Sequence, residues 1–251
     1  MKKRIILSGC NGYMGRVITA SVSGRDDLEI VAGIDISGEQ REHYEVVTSP
    51  NKVTAEADVI IDFSHPSALT PLLGMAQKRK LPIVVCTTGL SAEQLDELKN
   101  ASANIPVFNS GNMSLGMNLL INLAKKAAVV LGRDFDIEII EKHHNRKLDA
   151  PSGTALMLAQ GINEAVEQPY RYEYNRASKR EKRSKTEIGI HSVRGGTIVG
   201  EHDVIFAGPD EIVTLSHSAR SRDIFATGAI NAALFLCKQK PGFYEMSDLL
   251  A

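Results

Sequence analysis

The chain lacks the residues and patterns that several classes of protein require. It has no tryptophan, and its three cysteines stand far apart without a CxxC pair, which argues against a disulfide framework or a zinc ribbon and favours a reducing compartment. A formal net charge of −1 gives no reason to expect nucleic acid or an anionic membrane as a partner. No apolar run approaches the length of a membrane span, and the run after the basic start is too short for a secretory signal. We therefore predict a soluble, cytoplasmic protein.

Short apolar runs alternate with helical segments in the first half of the chain. Four runs have the composition of buried parallel strands, at residues 4–7, 28–34, 59–63 and 83–86. Ser91 and Gln94 form a capping box for a further helix, and residues 107–108 form a last short strand. This alternation predicts an α/β fold whose N-terminal Rossmann unit is a doubly wound parallel sheet.

The pattern changes after about residue 114. Two helices, at 115–131 and about 152–166, flank a strand at 136–141. Three strand-like runs then follow with little helix between them, at 186–193, 198–207 and 211–218. Strands grouped in this way predict a second α+β domain with a mixed or antiparallel sheet.

The domain boundaries follow from the last helix, which we place at 224–236. A helix in this position can return to the first domain, so we predict a dinucleotide-binding domain of residues 1–113 plus 228–251. The second domain then comprises residues 114–227. The polar and basic segment 171–185 is interpreted as a solvated loop, because the chain as a whole is not basic.

A glycine-rich loop, GCNGYMG, joins the first strand to the first helix at residues 9–15. It is a GxxGxxG variant of the Rossmann fingerprint, in which glycines allow a tight turn and bring backbone N–H groups close to a pyrophosphate. Asp35 ends the second strand 20 residues after Gly15, the spacing of an acid that binds ribose hydroxyls. The alternative is an ordinary turn followed by a surface aspartate.

Asp35 also bears on the choice of cofactor. A carboxylate accepts hydrogen bonds from ribose hydroxyls but repels a 2′-phosphate, and neither Ile36 nor Tyr13 offers a guanidinium. We therefore expect NADH to be preferred, although NADPH remains possible. Two small polar loops after later strands, at 86–89 and 110–113, are suited to the nicotinamide half, with ordinary turns as the alternative.

Residues 141–155, EKHHNRKLDAPSGTA, form the most chemically distinctive segment. His143, His144 and Lys147 crowd cationic donors together, which suits carboxylate binding better than a core. The run at 152–154 then opens a helix whose free N–H groups make a second anion site. Two such devices predict a small dicarboxylate substrate, with His143 or Lys147 delivering a proton after hydride transfer.

Several alternatives stay open at this point. The segment could be a solvated basic loop. We expect no metal, because adjacent His143 and His144 would point to opposite faces of a strand and no HxxxH or cysteine partner is near. Another dehydrogenase would share the glycine loop without needing the cationic run. An acylating aldehyde dehydrogenase would need a cysteine in the second domain, which has none, and an NAD-sensing protein would bind without turnover.

The run 141–155 resembles the signature of the 4-hydroxy-tetrahydrodipicolinate reductase (dihydrodipicolinate reductase) family. The likeness extends over the chain through the glycine loop, DFS at 62–64, TTG at 87–89, NMSLG at 112–116, GEH at 200–202 and FAxGA at 225–229. The resemblance implies a homotetrameric enzyme of diaminopimelate and lysine biosynthesis, whose second domain serves substrate binding and oligomerisation. Its reaction is the NAD(P)H-dependent reduction of 4-hydroxy-tetrahydrodipicolinate to tetrahydrodipicolinate, with release of water.

The resemblance also implies the roles of individual residues. His143 corresponds to a proton donor and acceptor, Lys147 to a proton donor, and His144, Gly153 and Thr154 to substrate-carboxylate ligands. The residues that correspond to the cofactor site are Gly9, Cys10, Asn11, Gly12, Tyr13, Met14, Asp35, Cys86, Thr87, Thr88, Ser110, Gly111, Asn112 and Met113. Tyr13 and Cys86 stand where many members have Arg and Gly. The first supports the NADH preference, and the second leaves that loop's contact open.

Overall fold

The computed structural model describes residues 2–250. Its strands are β1 (Lys3–Ser8), β2 (Leu28–Ile34), β3 (Glu45–Val47), β4 (Val59–Asp62), β5 (Ile83–Val85), β6 (Pro106–Asn109), β7 (Asp136–His143), β8 (Arg171–Glu173), β9 (Glu187–Arg194), β10 (Gly200–Ala207), β11 (Ile212–Ala219) and β12 (Gly242–Tyr244). Its α-helices are α1 (Tyr13–Ser23), α2 (Leu69–Arg79), α3 (Ala92–Ala101), α4 (Leu115–Leu131), α5 (Gly153–Ala165), α6 (Asp223–Leu236) and α7 (Met246–Leu250).

These elements form two compact units. The first runs to Leu115 and resumes at Arg222, and the second comprises Gly116–Ser221. We expected the return to the first unit near residue 228. The structure places it at Arg222 because α6 packs along its whole length in the first unit, against α1 and the strands β4, β5 and β6.

The first unit is built on a parallel seven-stranded sheet in the order β12-β6-β5-β4-β1-β2-β3. Alternate residues of its central strands enter two different cores. Ile61 and Val84 face α1 and α6, whereas Ile60 and Ile83 face α2 and α3. Burial on both faces explains why these strands read as continuous apolar runs, and it confirms the predicted doubly wound Rossmann sheet.

The edges of this sheet were not foreseen. We expected the strand at 107–108 to be the last, but β12 pairs parallel to β6 beyond it. On the opposite edge, β3 pairs with β2. Each of these strands has three residues, which is too short to show a periodicity. The capping box predicted for α3 is confirmed, with both of its hydrogen bonds between Ser91 and Gln94.

The second unit has a five-stranded mixed sheet in the order β11-β10-β7-β9-β8. The central strand β7 runs antiparallel to β10 and parallel to β9. Ile139, Leu158 and Phe206 belong to the core between one face of this sheet and the helices α4 and α5. The predicted mixed sheet is therefore confirmed. The solvated-loop interpretation of 171–185 is wrong for its first residues, since β8 pairs with β9.

Helix α4 needs a correction of its own. Together with the turn to Asp134 it is long and apolar enough to cross a membrane by length and composition, so the expectation that no segment approaches that length is wrong here. The helix buries Met117, Ile121 and Ala124 in the core of the second unit. A core helix that packs its apolar face against a sheet has the same length and composition.

Candidate active site

The glycine loop of the first unit requires glycine at two positions. Gly9 has φ +77°, and a Cβ there would lie 2.5 Å from the carbonyl oxygen of Phe63. A Cβ on Gly15 would lie 2.3 Å from the carbonyl oxygen of Gly9. The loop can therefore turn tightly and pass directly into α1 at Tyr13, so that the first N–H groups of the helix face the loop. This is the cradle that a dinucleotide pyrophosphate needs.

Asp35 is tied to this loop by hydrogen bonds. The backbone N–H of Asn11 donates to Asp35 Oδ2 at 3.1 Å, and the N–H and hydroxyl of Ser37 donate to Oδ1 at 3.0 and 2.8 Å. A cavity of about 520 Å³ opens beside them, lined by Gly9, Gly12 and Asp35 among others. Its size and position suit the adenosine half of a dinucleotide.

An arginine that the sequence did not reveal also reaches the loop. Tyr13 is exposed, and the guanidinium of Arg222 lies over its ring at 4.7 Å from the centroid. We expected no guanidinium here because position 13 itself offers none. Arg222 comes from 209 residues further along the chain (222 − 13), so no local pattern could have indicated it.

The side chains of several predicted cofactor residues point into the protein. Cys10, Cys86 and Met113 belong to the core, and burial raises the pKa of the Cys86 thiol well above its usual value. Thr87 is also buried, and its hydroxyl donates to Asp62 Oδ2 at 2.7 Å. These four residues can therefore offer a cofactor only their backbone. Thr88 remains exposed.

In the second unit, Glu141 connects the end of β7 to the start of α5. Its carboxylate has no exposed surface, and hydrogen bonds satisfy both of its oxygens. Arg194 donates to both carboxylate oxygens, at 2.6 and 2.7 Å, in a bidentate fork. The backbone N–H of Ser152 donates to Oε1 at 3.1 Å, and His143 Nδ1 lies 2.6 Å from Oε2. One carboxylate thus fixes both ends of the loop that carries the cationic cluster.

The electrostatics of this cluster follow from the same contacts. Burial alone would raise the pKa of Glu141, but Arg194, Ser192 and His143 outweigh it and lower that pKa to about 2. Burial lowers the pKa of His143, with Lys147 and Arg194 acting in the same direction and Glu141 opposing them. At neutral pH, Glu141 is therefore ionised and the His143 ring is mainly neutral.

The remaining members of the cluster differ in exposure. Lys147 is half-buried, and its ammonium pairs with Asp149 at 2.9 Å. His144 is half-buried as well, with Nδ1 out of contact with solvent. Gly153 is exposed with open space where a side chain would stand, and Thr154 is half-buried in the first turn of α5. The predicted anion-binding segment is therefore accessible at the helix start.

Comparison with known proteins decides the family. Sequence models of the N-terminus and the C-terminus of dihydrodipicolinate reductase match residues 3–113 and 116–250. The chain belongs to the dihydrodipicolinate reductase family. It is 54% identical to the 4-hydroxy-tetrahydrodipicolinate reductase of Caldanaerobacter subterraneus subsp. tengcongensis, over 100% of this chain and 99% of that one. Identity to the enzyme of Clostridium tetani is 49%, over 98% and 96%.

A solved structure agrees. Dipicolinate-bound dihydrodipicolinate reductase from Paenisporosarcina sp. TG-14 superposes with a TM-score of 0.81 at 26% identity, covering 98% of each chain. A diaminopimelate dehydrogenase from C. glutamicum, 15% identical with a TM-score of 0.61, shares the fold alone. As a member of the dihydrodipicolinate reductase family, the chain is an oxidoreductase with a Rossmann-type nicotinamide dinucleotide unit.

The sequence assigns no role to three polar residues that hold the cationic segment 141–155 in place. Glu141 is visible only as part of the signature, and Ser152 only as part of a helix start. Arg194 was not singled out, although it lies beside His143 in the register of β7 and β9. Strand register is invisible in the sequence, so only the alignment of two strands could have found it. Within residues 2–250, no three His, Cys, Asp or Glu side chains group as a metal site requires.

Proposed function

We propose that this chain reduces 4-hydroxy-tetrahydrodipicolinate to tetrahydrodipicolinate with release of water, a step of diaminopimelate and lysine biosynthesis. The observation that carries this proposal is the family match over both units. The ligated cluster around Glu141 and His143 adds the chemistry that the reaction needs. When bound, a reduced nicotinamide supplies the hydride, and the protein must supply a proton and hold a small dicarboxylate.

His143 and Lys147 are our candidates for the proton transfers. His143 stands at the end of a rigid strand, and the lowered pKa of its ring keeps it neutral at pH 7 and able to accept or return a proton. Lys147 places an ammonium near this ring, paired with Asp149 at 2.9 Å, and is our candidate for the proton donor.

His144, Gly153 and Thr154 are our candidates for binding the substrate carboxylates. Gly153 and Thr154 begin α5, where N–H groups lack an intrahelical acceptor and attract an anion. Ser152 caps the helix through a bond from the N–H of Ala155 to its hydroxyl oxygen at 3.2 Å, which fixes where the helix begins.

The test is to generate the substrate from aspartate semialdehyde and pyruvate with the preceding synthase, add this protein and follow NADH absorbance. We expect turnover in the wild type, and about a hundredfold or greater loss of kcat in Lys147→Ala with unchanged NADH affinity. The exposed Lys185, paired with Asp136 at 3.2 Å, provides the control substitution Lys185→Ala. Absence of wild-type turnover would overturn the proposal.

We further propose a preference for NADH over NADPH. Asp35 presents a carboxylate to the cavity beside the glycine loop, and a 2′-phosphate would be repelled there. Two arginines near this site already have partners. Arg16 donates to the carbonyl oxygen of Asn11 at 3.0 Å, and Arg41 pairs with Glu39.

The preference is measured as the ratio of kcat/KM for the two cofactors. We expect NADH to be favoured, and Asp35→Ala to reduce the ratio because the repulsion is lost. Ser37→Ala is the control, since it removes a bond to Asp35 but keeps the carboxylate charge. A ratio in favour of NADPH would contradict the assignment.

Finally, we infer a cytoplasmic homotetramer. The three cysteines are free, as a reducing compartment requires. Helices cover one face of the second sheet, whereas the other face presents Ile140, Ile205 and the exposed Ile212 to the outside. Sedimentation analysis should give the mass of four 27.3 kDa chains, and a monomer would refute the inference.

A further inference from the structure

The bonding of Glu141 restricts what the His143 ring can do. An ionised carboxylate has no hydrogen to donate, so His143 Nδ1, at 2.6 Å from Oε2, must carry the hydrogen of that bond. Nδ1 is therefore protonated whether the ring is neutral or cationic. The nitrogen that gains and loses a proton is Nε2.

The surroundings of Nε2 leave it free for this exchange. Nε2 has no hydrogen-bond partner within residues 2–250, and it faces the Cα of Gly200, where a Cβ would lie 3.1 Å away. The ring also makes an edge contact with His202, at 5.2 Å between centroids. Packing on these sides and the bond at Nδ1 fix the orientation of the imidazole.

We propose that Glu141 is a positioning residue, held by Arg194 and the start of α5, that keeps His143 in the Nδ1–H tautomer and assigns proton exchange to Nε2. The catalytic consequence rests on the proposed function, whereas the tautomer does not. The arrangement gives Glu141 two tasks, since the same carboxylate also accepts from Ser152 N–H at the helix start. Orientation of the histidine is thereby coupled to placement of the anion-binding helix.

Charged or titratable side chains surround His143 on each element that packs against it. Glu141 lies on the same strand, Arg194 on β9, Lys147 in the following turn and His202 on β10. Glu141 raises the pKa of His143, whereas Lys147 and Arg194 lower it. Removing Glu141 and removing Arg194 should therefore shift the titration of His143 in opposite directions, which a loss of packing alone would not do.

The decisive experiment is nitrogen-15 NMR of the histidine rings in the full-length protein without ligand, with steady-state kinetics on the same samples. In the wild type we expect His143 as the Nδ1–H tautomer. In Glu141→Gln we expect a mixture of tautomers, because an amide can donate or accept, together with a lower pKa of His143. We expect kcat to fall about a hundredfold or more, with a much smaller change in substrate KM.

Glu138→Gln is the matched control. Glu138 lies on the same strand and also binds a histidine and an arginine, His191 at 2.7 Å and Arg183 at 2.8 Å. This variant should keep the wild-type tautomer of His143 and the wild-type kcat. Glu141→Asp should restore part of the activity lost in Glu141→Gln and most of the tautomer preference, because the charge returns.

Arg194→Gln tests the same proposal if Glu141→Gln does not fold. It should raise the pKa of His143 and move the acid limb of kcat/KM to higher pH. An unchanged tautomer in folded Glu141→Gln, or an unchanged pKa of His143 in Arg194→Gln, would overturn the proposal. Absence of turnover in the wild type would instead remove the proposed function, and the NMR result would still decide how the ring is held.

Discussion

Strand β7 carries two glutamates, three residues apart, that have the same kinds of partner on opposite faces of the sheet. Glu141 binds His143 and Arg194, and Glu138 binds His191 and Arg183. The side chain of Glu141 has no exposed surface, whereas 23% of that of Glu138 is exposed.

The difference between the two clusters lies in what encloses them. The start of α5 closes over Glu141 through the Ser152 N–H, and both end nitrogens of Arg194 donate to that one carboxylate as well as to backbone carbonyls. Arg183 donates to Glu138 through Nε alone, and its end nitrogens donate to Asp136 and backbone carbonyls. The same residue types therefore form two different environments. The helix start encloses the Glu141 carboxylate completely, whereas the Glu138 carboxylate stays partly exposed.

The largest effect should come from deleting each histidine. We expect His143→Ala to lower kcat by about a hundredfold to ten-thousandfold, since it removes the group that we propose exchanges a proton with the substrate. His191→Ala should leave kcat close to that of the wild type. NADH affinity, measured by fluorescence titration, should be unchanged in both variants. Equal turnover in the two would show that the clusters do not differ in function.

The arginines should differ in stability. Arg194→Met leaves Glu141 as a buried carboxylate without its main counter-charge, so we expect the free energy of unfolding to fall by about 3–5 kcal/mol. Arg183→Met should cost about 1–2 kcal/mol, because water can reach Glu138. Urea unfolding of the two variants beside the wild type measures this. A larger loss for Arg183→Met would reverse our ranking of the clusters.

Two groups of the enclosed cluster, Glu141 and His202, should affect the free energy of unfolding in different pH ranges. The pKa of Glu141 is lowered to about 2, so its contribution to stability is present above about pH 4.5 and lost as the pH falls toward 2. The pKa of His202 is lowered to about 4 by burial and by His143, so the stability of the fold decreases as the pH falls from about 6.5 to 4.

Each window can be removed by one substitution. Glu141→Gln should remove the loss of stability below about pH 4.5, which amounts to at most about 3 kcal/mol. His202→Asn should remove the loss between about pH 6.5 and 4. The measurement is the free energy of unfolding in urea at several pH values between 3 and 7. If Glu141→Gln leaves the slope below pH 4.5 unchanged, Glu141 is not the group that titrates there.

The same comparison shows what the sequence could predict. The Rossmann sheet, the mixed second sheet and the cationic segment each lie in continuous stretches with their own periodicity or composition. Arg194 and Arg222 could not be found, because their partners lie 53 and 209 residues away and meet them only through folding. The three-residue strands β3, β8 and β12 escaped for a different reason, since they add to sheet edges by backbone pairing and need no side-chain pattern.

The cofactor loops mark another limit of sequence reasoning. A family motif identifies which loop reaches a ligand but not which atoms of it do. Cys86 and Thr87 fit the motif by position, yet both side chains are buried and one holds Asp62. Cys86 and Thr87 are consecutive and both buried, so only the structure separates backbone contacts from side-chain contacts.

The smallest effects should come from two glycines that face the clusters. A Cβ on Gly189 would lie 1.8 Å from Glu138 Oε2, and a Cβ on Gly200 would lie 3.1 Å from His143 Nε2. Gly189→Ala must displace the Glu138 carboxylate, so we expect a loss of about 1–2 kcal/mol in stability and an unchanged kcat. Gly200→Ala needs only a small shift, but its methyl group would lie against Nε2, the atom that we propose exchanges the proton. We expect about a tenfold loss of kcat with less than about 1 kcal/mol of destabilisation. If Gly189→Ala lowers kcat and Gly200→Ala does not, proton exchange does not take place at Nε2.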